Sequence, residues 1–200
     1  YVLELSSIQL DLLHTPCLDV GVLLNIAPDH LERHGNLDGY IAVKRGIFDL
    51  LREGAMAIIG IDDSHSQAIR DDLSDSLAVI SISAKQLLEM GVSVLDGTLV
   101  EHFGERVPSV DFARFASLRG EHNWQNAAAA WAAVRTIGLT AEHAAHGLQS
   151  FVNLPHRQEP IAVANGIHYV NDSKATNANA TASALAAFST IYWIAGGRPK

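Results

Sequence analysis

Several short stretches of this chain gather side chains of the kinds that chemistry needs. Glu4, in Glu4-Leu5-Ser6-Ser7, closes an apolar run that reads as a strand. A carboxylate at the C-terminal edge of a parallel sheet stands where such folds place ligands, and Mg²⁺ takes oxygen donors. The plainer reading is a solvated charge on an edge strand. Asn25-Ile26-Ala27-Pro28-Asp29-His30-Leu31 follows a second strand-like run. Hard-oxygen preference favours Asp29 over His30 as a Mg²⁺ ligand. Spacing alone favours a simpler role, with Pro28-Asp29 opening a helical turn. Lys44, next to Arg45, falls in a helical pattern, where a solvated lysine is the default.

Three more clusters follow. Gly120-Glu121-His122-Asn123-Trp124-Gln125-Asn126 opens a long helical pattern. Free N–H groups at a helix start suit phosphate, and asparagine amides both donate and accept, as a base edge requires. Ordinary capping by Asn123 is the alternative. Pro155-His156-Arg157 and Asn171-Asp172-Ser173-Lys174-Ala175-Thr176-Asn177 are the densest polar clusters. Arg157 and Lys174 suit phosphate, Arg157 through its fork geometry, and Asp172 suits a ribose hydroxyl. Against this stands a polar loop with Thr176 or Asn177 capping the next helix.

The elements that would position these groups alternate. Residues 20–26, 55–61 and 77–82 read as strands, 38–51 and 62–73 as helices, with Gly54 as a stop. Residues 92–95 and 98–102 form a hairpin around Asp96-Gly97. Residues 121–137 read as a helix stopped by Gly138, and Thr140 caps another over 141–151. A second hairpin turns at Asn165-Gly166, followed by an alanine-rich helix to Phe188 and a strand over 191–195. This order predicts an α/β fold, a mostly parallel sheet with helices on both faces. The text changes character at Leu154-Pro155, so the chain divides into domains at 1–153 and 154–200. The two polar clusters just past that boundary stand where a cleft would form.

Composition bounds the function. The 200 residues are 48% apolar, enough for a sizeable core, and the net charge of −8 disfavours nucleic acid and anionic membrane surfaces as partners. The single cysteine, Cys17, permits no intrachain disulfide and fits a cytoplasmic setting. No apolar run reaches the length of a membrane span. The chain opens directly in a strand-like run and breaks off straight after another, so it reads as a piece cut from a longer protein.

Taken together, the strings Glu4-Leu5-Ser6-Ser7-Ile8-Gln9-Leu10, Asn25 through Asp29-His30-Leu31, Tyr40-Ile41-Ala42-Val43-Lys44, His122-Asn123 through Asn126-Ala127, Leu154-Pro155-His156-Arg157 and Asn171 through Asn177 resemble the Mur ligase family. The last string resembles the branch that adds D-glutamate. The resemblance implies an ADP-forming ligase of peptidoglycan-precursor synthesis, joining D-glutamate to UDP-N-acetylmuramoyl-L-alanine through an acyl phosphate, with ATP and Mg²⁺, acting as a monomer. It implies a central ATP-binding domain over 1–153 and the start of a Rossmann-like C-terminal domain over 154–200. Glu4 is then a ligand of one Mg²⁺ and His30 of a second, overturning the preference for Asp29, and Lys44 is a carbamylated lysine at a Mg²⁺ site. Asn123, Asn126, Arg157, Asp172 and Lys174 become ATP contacts, and Thr176 and Lys200 contacts to D-glutamate. The family's glycine-rich phosphate loop, Gly-x-x-x-x-Gly-Lys-Ser/Thr, does not occur in this sequence, so the isolated chain is expected not to turn over. Another Mur ligase, a folylpolyglutamate synthase and a non-catalytic nucleotide-binding module are the competing readings.

Overall fold

The computed structural model describes residues 1–29, 31–103, 110–112 and 115–197. The chain forms two compact units, Tyr1–Phe151 and Val152–Lys200.

The first unit is built on a six-stranded sheet of β1 (Leu18–Leu23), β2 (Leu51–Gly60), β3 (Ala78–Ser83), β4 (Gly91–Leu95), β5 (Thr98–His102) and β6 (Val110–Asp111), in that spatial order. β1 to β4 pair in parallel, and β5 and β6 add antiparallel trim. The helices are α1 (Ser7–Leu10), α2 (Leu31–His34), α3 (Leu37–Arg45), α4 (Ser64–Leu73), α5 (Glu121–Thr136) and α6 (Ala141–Gln149).

The period-two alternation of the strands sorts the core onto two faces. Ile58, Ile82, Val92, Val94 and Leu99 pack on one side with Trp131 and the buried alanines of α5. Leu23, Ala57 and Ile59 pack on the other with Tyr40, Phe48, Ile69 and Leu73. The small alanine face lets α5 lie close to the sheet. A buried ion pair fixes it there: Arg135 Nε donates to Glu101 Oε2 at 2.9 Å and Nη2 to Oε1 at 3.0 Å, while Trp131 Nε1 donates to the same carboxylate.

Local signals act where the sequence places them. Asp96 (φ +50°) and Gly97 (φ +77°) make the tight turn of the β4–β5 hairpin. Thr140 accepts from the His143 N–H and starts α6. Four details differ from the sequence reading. The helix expected through residue 51 ends at Arg45 and tightens into a 3-10 turn, Gly46–Leu50. β2 begins at Leu51 rather than after Gly54, because a bulge opposite β1 absorbs the left-handed Gly54. The first helical turn after β2 holds no acidic residue, since α4 starts at Ser64 with Asp63 as its cap. The runs at 1–5 and 191–195 are extended but form no ladder: among the described residues no strand pairs with either, and β structure requires a paired neighbour.

The second unit holds the antiparallel hairpin of β7 (Glu159–Ala164) and β8 (Ile167–Asn171), turning at Asn165-Gly166, and α7 (Ala178–Ala186). Asn177 caps α7 by accepting from the Ala180 N–H at 2.8 Å.

Candidate functional site

Three short helices next to the parallel strand ends carry the first group of site residues. Ser6 and Gln9 form a reciprocal capping box that starts α1 immediately after Glu4-Leu5. Asn36 caps α3, accepting from the Gly39 N–H at 2.8 Å. A Cβ at Gly39 would come within 2.3 Å of the His34 carbonyl oxygen, so only glycine lets the chain turn this sharply from α2 into α3. Tyr40 and Lys44 then lie one turn apart on one face of α3. Tyr40 is buried, and the Lys44 Nζ lies 5.9 Å from its ring centroid. His34 lies between this helix and α1, its Nε2 3.0 Å from Ser7 Oγ and its ring 5.5 Å from that of Tyr40.

Charge gives this cluster its character. Burial pushes the Lys44 ammonium below the usual lysine range, while the Glu4 and Asp29 carboxylates pull the other way. Burial also raises the Tyr40 phenol, helped by the Asp29 charge. Glu4, Asp29, Tyr40 and Lys44 therefore share one electrostatic neighbourhood, although they are widely spaced in sequence. The lysine is half-buried and not the solvated residue of the default reading.

The donor chemistry suits a hard cation. Two carboxylates supply the oxygen atoms that Mg²⁺ prefers. A half-buried lysine with a lowered pKa holds more of the neutral amine, the form that can add CO₂ and lose a proton to become a carbamate with oxygen donors. Among the described residues no cluster of three or more His, Cys, Asp or Glu side chains forms a ready-made metal site. His30, the ligand implied by the family resemblance, lies outside the described residues, as does Lys200.

A second set of polar groups, which sequence reasoning missed, ties the strand ends together. Asp62 leaves the end of β2 and accepts from Ser83 Oγ and, at 2.8 Å, from the Ala84 N–H. Asp63 caps α4 through the His65 and Ser66 N–H groups and also accepts from the Ile26 N–H at 3.2 Å. Gln125, on the first turns of α5, bridges Asn25 and Asp62. The only sequence signal was a pair of aspartates directly after an apolar strand.

The same helix start carries Asn123 and Asn126. Asn123 is not the cap: Gly120, at φ +95°, occupies that position, and the Asn123 amide donates to the Arg119 carbonyl at 2.8 Å. Asn126 is exposed one turn on.

In the second unit the two polar clusters form one folded loop pair. The Gln158 N–H donates to Asp172 Oδ1 at 3.0 Å, and the Lys174 N–H to the His156 carbonyl at 3.0 Å. Asn171 reaches both His156 and Glu159. His156 (φ +67°) and Gln158 (φ +43°) are held in left-handed backbone, which non-glycine residues adopt at a cost. The arrangement brings Arg157, Asp172 and Lys174 into one neighbourhood and leaves Arg157 and Lys174 exposed. Thr176 is exposed just before the Asn177 cap.

Sequence and fold comparisons place this geometry in a class. The chain belongs to the Mur ligase middle domain family, which matches residues 1–134. It is 50% identical over 203 aligned positions to the UDP-N-acetylmuramoylalanine–D-glutamate ligase of Rhodospirillum rubrum, covering 100% of this chain and 43% of that protein. The enzyme of the same name from Phenylobacterium zucineum is 49% identical with the same coverage. The chain thus spans less than half the length of these relatives. Among solved structures, MurF from Acinetobacter baumannii superposes with a TM-score of 0.65 at 24% identity, over 84% of this chain and 37% of that one. MurF ligase from Thermotoga maritima in complex with ADP gives a TM-score of 0.65 at 21% identity, over 84% and 38%. At that identity the likeness shows the fold alone.

Proposed function

We propose that this chain is part of an ADP-forming ligase that joins D-glutamate to UDP-N-acetylmuramoyl-L-alanine in the bacterial cytoplasm. The single observation that carries the proposal is the half-buried Lys44, one turn from the buried Tyr40 and within electrostatic reach of the Glu4 and Asp29 carboxylates. The relatives that share about half of its residues are named for that reaction. On this reading residues 1–153 are the central ATP-binding domain and 154–200 begin the C-terminal ligase domain. The glycine-rich phosphate loop does not occur in this sequence, so on this reading the chain by itself is not expected to turn over.

In this reaction ATP phosphorylates the alanine carboxylate of the UDP-linked acceptor. The D-glutamate amine then attacks the acyl phosphate, and phosphate departs from a tetrahedral intermediate. Bound Mg²⁺ offsets the charge on the triphosphate and the carboxylate. Glu4 would hold one Mg²⁺ and His30 a second, with carbamylated Lys44 at a Mg²⁺ site. Tyr40 lies one turn away on the same helix, its ring centroid 5.9 Å from the Lys44 Nζ. Asn123 and Asn126 present amides to the nucleotide, Arg157 and Lys174 neutralise phosphate, and Asp172 accepts from a ribose hydroxyl. Thr176 and Lys200 contact D-glutamate.

The test uses the full-length protein. ADP and phosphate should appear only when ATP, the UDP-muramoyl-alanine acceptor and D-glutamate are all present. Equal release with L-lysine, meso-diaminopimelate or a dipeptide would assign the chain to a different ligase of the family. Nucleotide binding with no release under any combination would make it a binding module.

A further inference from the structure

Gln125 is a buried amide on a helix face otherwise built from alanine and Trp131. Both ends of the amide are used. Its Oε1 accepts from Asn25 Nδ2 at 3.1 Å, and its Nε2 donates to Asp62 Oδ2 at 3.2 Å. Asp62 is itself fixed to the end of β3 by Ser83 and the Ala84 N–H. Asn25 begins the loop after β1, and the next residue, Ile26, is tied by its N–H to Asp63. One side chain of α5 therefore ties the ends of β1 and β2 directly and, through Asp62, that of β3.

Room for this bridge is built into the sheet. A Cβ at Gly60 would lie 1.9 Å from the Leu24 carbonyl oxygen and 2.9 Å from Gln125 Nε2. The backbone contact alone excludes any larger residue there. An alanine at position 125 would continue the apolar face and leave the Asn25 amide without this partner.

What the bridge connects is the point. On one side is the start of α5, with Asn123 and Asn126. On the other is the loop of residues 25–29, with Asp29 beside Lys44. A nucleoside triphosphate and its divalent cation share the same phosphate oxygens, so base-side and metal-side groups must be held at a fixed separation. We propose that Gln125 is a positioning residue that sets the 25–29 loop against the start of α5, and through that loop controls divalent-cation affinity when nucleotide is bound. The inference rests on the ligase reading of the site.

The test is a double-mutant cycle in the full-length ligase, with Asn25→Ala, Gln125→Leu and the pair. Mn²⁺ is the probe. Its binding in the presence of ADP is followed by the loss of the free-ion paramagnetic resonance signal, and thermal melting is recorded beside it. Each single change should weaken Mn²⁺ binding at least about fivefold, and the double change should be no weaker than the worse single, because both remove one bridge. Unchanged Mn²⁺ affinity in Asn25→Ala, or losses that multiply in the pair, would overturn the proposal. If Gln125→Leu does not fold, Asn25→Ala decides alone, since Asn25 lies at the exposed end of the bridge. A purely structural role would lower the melting temperature and leave Mn²⁺ affinity as it was, which also overturns it. The ligase reading fails separately, if the unmodified enzyme releases no ADP.

Discussion

Lys44 Nζ lies 5.9 Å from the centroid of the Tyr40 ring, one helical turn away on α3. An aromatic face at this distance favours the ammonium weakly, by about 0.5–1 kcal/mol. Burial opposes it, lowering the lysine's pKa despite the two carboxylates. The amine is thus held in a place that disfavours its charge, next to groups that would share a cation with it.

The first prediction follows from that placement. In the full-length enzyme Lys44→Ala should lower kcat by about 10²-fold or more, the scale for losing one preorganised electrostatic group. Acetate should restore measurable activity by supplying the missing oxygens. Arg45→Ala is the control: its exposed ion pair with Asp72 (2.6 Å) should be worth less than about 1 kcal/mol. Lys44→Ala with most of its activity intact would refute the carbamate.

Stability should also depend on pH through Lys44. Its folded value lies below the unfolded lysine value of about 10.4. Between those two values the unfolded state binds more protons, so stability rises with pH across that window and is lowest beneath it. Urea midpoints in CO₂-free buffer should climb as pH approaches about 10.4. Lys44→Met should flatten that part of the slope, and an unchanged slope would show that the lysine is not buried in solution.

Glu4→Ala should abolish turnover at moderate Mg²⁺ with little change in melting temperature, because Glu4 is exposed and lies in an unpaired segment. Titration with Mg²⁺ separates the outcomes. Near-normal turnover at saturating Mg²⁺ would remove Glu4 from the site.

The Asp172 carboxylate should matter through loop geometry as well as through contact. Asp172→Ala removes the acceptor of the Gln158 N–H from a loop already held in left-handed backbone. A hydrogen bond to a charged group contributes about 1.5–3 kcal/mol, so the KM for ATP should rise about tenfold or more. Asp172→Asn keeps an acceptor and should recover part of the loss. An unchanged KM in Asp172→Ala would separate this loop from the nucleotide.

Glu101→Ala tests the fold apart from the site. It leaves Arg135 and the Trp131 N–H without their shared carboxylate, and breaking a buried pair costs about 3–5 kcal/mol. Because Arg135 remains 23% exposed, the loss should fall at the lower end. Urea unfolding checks it.

Much of the architecture could be read locally. Short apolar runs marked β2 and β3, Asp96-Gly97 and Asn165-Gly166 marked the two hairpins, and Thr140 marked a helix start. Each of these signals acts over a few residues and depends on backbone preference. The polar strings around Glu4, Asp29, Lys44 and Asp172 were legible as well, since such residue types stand out from an apolar background. The unpaired runs at 1–5 and 191–195 had strand composition, yet a strand also needs a neighbour, which composition does not supply.

Tertiary packing alone decided the rest. The state of Lys44 depends on its partial burial and on carboxylates from two distant segments, and no spacing rule contains that sum. Asp62 read as the first turn of a helix and became a clamp between strand ends, because α4 began two residues later at Ser64. Gln125 looked like one amide among several, and it found Asn25 one hundred positions away. The sequence by itself determined which residues were available for chemistry and which elements carried them. Which of them share one electrostatic neighbourhood was set by how the helices pack on the sheet, since Coulomb and desolvation energies depend on distance and burial in space.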